Sequence, residues 1–120
     1  MPAFNFKQTF ASDVESGVKR QTIRAKRKHR PKAGQTAYCF HGMRTPKCRC
    51  LGAWPICRVR DVRINDCGIL LDGGAVLDND LNTFARADGF KTWPIMLEWF
   101  RATHCFPFHG DLIQWDYRPT

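Results

Sequence analysis

"GVKRQTIRAKRKHRPK", residues 17–32, decides how the rest of the chain is read. It holds eight Lys or Arg residues and no carboxylate, and it begins with a glycine at a turn. The 120-residue chain carries 19 basic and 11 acidic side chains, so setting these eight aside leaves 11 against 11. The entire formal charge of +8 therefore belongs to one segment. A run of this kind is a solvated face, a phosphate-binding surface, or the rim of a pocket in which one lysine does chemistry.

Outside that segment the composition is that of one globular domain spanning residues 1–120, with 43% apolar and 12% aromatic residues. No apolar run approaches the roughly 20 residues of a membrane span, and "MPAFNFKQTF" lacks the apolar core of a signal peptide. The expectation is a cytoplasmic protein with no membrane partner. Without a secretion signal the six cysteines lose the compartment that disulfides need. "CRC" at 48–50 leaves one residue between thiols, where structural zinc sites use two to four. Reduced thiols, no metal and no other cofactor are expected.

Period-two alternation in "FNFKQTF" suits a short strand, and "ASDVESG" reads as one or two helical turns ended by Gly17. "KRQTIRA" and "QTAYCFHG" suit strands, separated by a basic loop with Pro31 and Gly34. "GMRTPKCRCLG" reads as a long loop. "AWPICRVRDVRI" reads as a longer strand in which Ile56, Arg58, Arg60 and Val62 alternate unevenly with their neighbours, and "GILLDGGAVLD" as a hairpin. The period then changes. Leu81, Phe84 and Ala85 stand at helical spacing before Gly89, predicting a helix over 80–88. Thr92 as N-cap and Pro94 in the first turn predict a second helix over 93–102, with Ile95, Met96, Trp99 and Phe100 on its apolar face. "DLIQWDY" suits a closing strand. The fold class is α+β.

Five segments in order carry a family resemblance. Gly17-Val18-Lys19-Arg20-Gln21-Thr22-Ile23-Arg24 resembles the G-x-K-x-x-T-I-R signature of the ASCH domain family, small PUA-like β-barrels. "KAGQTAY" is similar to that family's lead into a barrel strand, with Gln35 where an acid is common. "GMRTPKCRCLGAW", "FARADGFKTWPIMLEWF" and "FHGDLIQWDY" resemble segments of its phage-associated branch. The resemblance implies a PUA-like small β-barrel with two or three packed helices, and a cleft, lined by the signature, that takes nucleic acid or a modified base. Some relatives that share the signature remove the acetyl group from N4-acetylcytidine. Their catalytic Lys and Thr fall on Lys19 and Thr22, and their catalytic Glu falls on Asp88, which is one methylene shorter.

Amide hydrolysis needs a nucleophile, a proton acceptor and donors for the developing oxyanion. Thr22 is a weak nucleophile unless a base stands beside it. Lys19 becomes a base when burial and neighbouring cations such as Arg20, Arg24 and Lys26 lower its pKa. Along a strand, Thr22 and Arg24 share a face and Lys19 points to the other, so convergence requires Lys19 to belong to the turn after Gly17. The basic run follows directly on this segment and suits a phosphate backbone led into a base site. The expected ligand contacts are Lys19, Arg20, Thr22, Arg24, Lys26, Arg27, Lys28 and Arg30, with Arg44 at the mouth of the cleft and Trp54 stacking on a base. Trp99 and Trp115 read as core, and His104 and His109 as structural hydrogen-bonders. The expected partner is RNA or single-stranded nucleic acid, or a modified nucleoside. Binding is the leading reading and deacylation of N4-acetylcytidine-like nucleosides the alternative, with Lys19, Thr22 and Asp88 as its catalytic set.

Overall fold

A computed structural model describes residues 2–119. Three helices and seven strands run in the order β1 (Ala3–Asn5), α1 (Gln8–Ser16), β2 (Gln21–Ala25), β3 (Thr36–His41), β4 (Arg49–Asn65), β5 (Gly68–Leu71), β6 (Gly74–Ala75), α2 (Asp78–Ala87), α3 (Trp93–Thr103) and β7 (Phe108–Trp115). The strands form one mixed sheet.

The 17-residue β4 organises that sheet. Its first part pairs antiparallel with β3, placing Ala37 opposite Trp54, and β3 in turn carries β1 in parallel. Its second part pairs with β7 from Ile56 to Ile64 and with β5 from Val62 to Asn65. β7 also pairs with β2, with Thr22 opposite Ile113. A register shift between Ile56 and Arg58 absorbs the uneven alternation in the sequence, since one extra residue turns the following side chains over.

The sheet is not closed into a barrel, in contrast to the expectation. β1 and β2 are two of its edges, and they share no backbone ladder. Arginine side chains cross the gap instead: Arg24 Nη2 donates to the Asn5 carbonyl at 2.8 Å and Arg27 Nη2 to the Ala3 carbonyl at 3.1 Å. Guanidinium groups thus satisfy edge acceptors that a neighbouring strand would otherwise take.

Two apolar clusters lie on the two faces. Phe4, Phe6, Val14, Trp54, Ile56, Ile113 and Trp115 belong to one, beneath α1. Ile23, Val62, Ile64, Met96, Phe100, Phe108 and Leu112 belong to the other, beneath α2 and α3. The adjacent residues Leu112 and Ile113 are both buried, one in each cluster, because successive strand side chains point to opposite faces. Fully buried Met96 and Phe100 each contribute about 1.5–3 kcal/mol to holding α3 down. That helix starts where its caps predict, with Thr92 Oγ1 accepting from the Ile95 amide. Ile95 itself faces solvent, because Met96 and Phe100 supply the inward stripe.

α1 begins at Gln8, earlier than the alternation of "FNFKQTF" suggests, and so carries Phe10 on a helix. It ends at Gly17, whose φ of 84° is left-handed and whose Cβ position lies 2.6 Å from the Tyr117 ring. β7 also starts earlier than expected, at Phe108. Phe10 packs against both clusters and therefore marks their junction. The six cysteines are free thiols, with Cys39 in the core and the other five exposed.

Candidate functional site

At that junction lies a cavity of about 130 Å³. The turn after Gly17 leaves Lys19 outside the alternation of β2, with its amide bonded to the Asp13 carbonyl at 2.9 Å. Lys19 can therefore turn inward on the same side as Thr22 and Arg24, and all three line the cavity. Asp88 arrives from the opposite direction, at the C-terminal end of α2, with its amide held by the Phe84 and Ala85 carbonyls. Gly89 is required beside it: its φ is 99°, and a Cβ there would lie 2.8 Å from Phe10 and 3.2 Å from the Lys19 stem.

Lys19 Nζ lies 3.3 Å from Asp88 Oδ1 and also donates to the Asp88 main-chain carbonyl. Burial pulls the Lys19 ammonium below its usual range, against the attraction of Asp88, and pushes the Asp88 carboxyl up, against the attraction of Lys19. The two proton affinities approach each other, which makes the pair suited to passing a proton between its members. Thr22 Oγ1 accepts from Arg24 Nε at 2.9 Å. Its own proton is thereby left to be donated elsewhere.

The walls are aromatic. Phe6, Phe10, Phe90, Trp99 and Phe100 surround the polar floor, with Phe10 and Phe90 edge to face at 5.3 Å. Lys19 Nζ lies 5.2 Å from the Phe10 ring centre, and the Arg24 guanidinium 4.9 Å from that of Phe6. Lys7 stands at the rim, 5.2 Å from the Trp99 ring. Cations on ring faces keep part of their stabilisation when water is excluded. Asn5, Phe6, Lys7, Phe10 and Phe90 escape the sequence reading. The signal available was the phenylalanine at positions 4, 6 and 10, read there only as a strand pattern.

The structure gathers Lys19, Thr22, Arg24 and Asp88 in the cavity, and the other expected contacts lie outside it. Trp54 does not stack on a ligand: it is 6% exposed, packs parallel to Trp115 and donates from Nε1 to the Arg118 carbonyl. Its position after a loop concealed a core residue of β4. Arg20 is exposed and turned away, donating to the Gly17 carbonyl at 2.7 Å and lying over Tyr117. Lys26 bonds Asp61 at 2.9 Å and Asp111 at 2.7 Å, and Arg30 bonds Asp111 at 2.9 Å. Part of the basic run is therefore neutralised within the protein. Arg27 lies over Phe4, while Lys28 and Arg44 are exposed.

Trp115 is core as expected, whereas Trp99 is only half buried and forms part of the pocket wall. His109 makes a structural contact with Asp61 at 2.6 Å, and His104 packs between aromatic rings, stacked on Phe100 and tilted against Phe108. Among the described residues no group of three or more His, Cys, Asp or Glu side chains is placed to hold a metal, and no helix is long and apolar enough to cross a membrane. Comparisons with protein families, curated proteins and solved structures give no match.

Proposed function

We propose that this chain is an ASCH-type, PUA-like domain that receives one base of RNA or single-stranded nucleic acid in the pocket at the junction of its two cores. The observation that carries this reading is a buried Lys19–Asp88 pair on the floor of an aromatic cavity, with Thr22 and Arg24 beside it. Flat faces for stacking and a few fixed donors and acceptors are what a base-reading pocket requires. The arginines that join β1 to β2 bring the sheet edges together without a ladder, an open counterpart of the barrel that the family resemblance implies. Titrating single nucleosides and short single strands into the protein, and repeating this with Lys19→Met, tests the reading. Base preference should vanish in the variant.

One observation favours the enzymatic alternative. Lys19 is driven toward its neutral form while Thr22 has a proton to give. In that reaction Thr22 Oγ forms a bond to the amide carbonyl carbon of an N4-acylated cytosine, and the hydroxyl proton passes to the Lys19 amine. The C–N bond then breaks, the departing N4 amine takes that proton back, and water hydrolyses the threonyl ester to a carboxylic acid and free Thr22. Asp88, at the end of α2, brings Oδ1 within 3.3 Å of Lys19 Nζ despite its shorter side chain. Incubation with N4-acetylcytidine, followed by mass measurement, decides between binding alone and turnover.

A further inference from the structure

Beside the base pocket runs a shallow groove lined by Ala3, Asn5, Arg24, Arg27, Met43 and Arg44. Asn5 and Arg24 line both, so the groove continues the pocket. Three guanidinium groups face it and no carboxylate does. None of the three has a salt-bridge partner among the described residues, unlike Lys26 and Arg30 in the same basic run.

The groove is also built. Asn5 Oδ1 accepts from the Met43 amide at 2.9 Å, which fixes the 42–45 turn against β1. That turn holds Arg44 at a left-handed φ of 65°, presenting its side chain to the groove. The carbonyls of Asn5 and Ala3 anchor Arg24 and Arg27 from below. Burial, with repulsion from Arg27, lowers the proton affinity of Arg24 to about 10, and an anion in the groove would relieve that repulsion.

We infer that this groove binds the phosphate of the nucleotide whose base occupies the pocket, with Arg44 and Arg27 as its principal donors. The inference rests on the base-pocket reading and adds the ligand class: a nucleotide rather than a free nucleoside. Arg27 also borders the next depression, with Lys28 and His29, so a following phosphate would continue along the same side. Guanidinium groups suit this ligand because their N–H groups pair with two phosphate oxygens at once.

The test compares cytidine, its 3′- and 5′-monophosphates, and an abasic single-stranded phosphodiester oligomer, by calorimetric titration at fixed salt. A monophosphate should bind about tenfold more tightly than cytidine. Arg44→Gly, which suits the left-handed backbone, should remove that gain and leave cytidine binding unchanged. Preference for a monophosphate would identify a free nucleotide, and preference for the oligomer a strand; either supports the groove. If cytidine fails to bind but the oligomer binds in an Arg44-dependent way, the groove stands and the base pocket falls. Equal affinity for cytidine and both monophosphates, or oligomer binding indifferent to Arg44→Gly, would overturn the phosphate site.

Discussion

Lys19 and Asp88, 69 residues apart, meet with Nζ 3.3 Å from Oδ1 and with side chains 4% and 5% exposed. Each ion would be expensive at that depth without the other, so the pair ties the segment before β2 to the end of α2. Function and stability therefore share these two residues.

Lys19→Met should cost about 3–5 kcal/mol in urea unfolding, because it leaves an unpaired buried carboxyl, while Lys19→Met combined with Asp88→Leu should recover most of the loss. The pH dependence has a definite sign. Asp88 is raised from 3.8, so relative to the double variant the native protein should lose stability as pH rises from 3.8 through the folded value. Lys19 is lowered from 10.5, so stability should return as pH rises from its folded value to 10.5. A pH-independent difference between the two proteins would contradict this.

In the deacylation reading, Thr22→Ala should leave nucleotide affinity within about twofold, since there the hydroxyl contributes chiefly in a transition state. If the protein deacylates N4-acetylcytidine, the same change should abolish turnover. Retained turnover would remove Thr22 from the role of nucleophile.

Trp54→Ala should destabilise the fold by about 3–5 kcal/mol through loss of its core packing. Under conditions where the variant stays folded, ligand affinity should be unchanged. A selective loss of binding with normal stability would return Trp54 to a stacking role.

Lys26 should prove structural. Hydrogen bonds from Lys26 and His109 hold the Asp61 carboxyl down at about 2. The resulting stability is present above 3.8 and is lost as pH falls through about 2. The stability difference between the native protein and Lys26→Met should therefore be greatest near neutrality and fade in acid. The salt slope of single-strand binding should hardly change with Lys26→Met, whereas Arg44→Gly should flatten it by roughly 0.7.

What the sequence revealed was mostly local. Gly17, the Thr92 and Pro94 start of α3, and the Asp72-Gly73-Gly74 hairpin are written in neighbouring residues, and they stand where expected. The start of α1 was concealed because Phe4 and Phe6 alternate as a strand does, with Phe10 continuing the pattern into a helix. The pairing of Lys26 and Arg30 with Asp111 joins segments that only strand register brings together, so charge counting alone made the run look freer than it is. Lys19, Thr22 and Asp88 were found through the signature resemblance, whereas the aromatic walls come from two helices and two connecting segments and left no contiguous motif.

β4 also governs how the molecule comes apart. Its residues Trp54 and Ile56 serve one core and Val62 and Ile64 the other, so neither core can open while the strand stays in register in its partner. Amide exchange along β4 should thus be the slowest in the chain and uniform from end to end. A ligand seated at the junction would slow the opening of both halves together, so occupancy of a small cavity would be felt as resistance to unfolding throughout the protein.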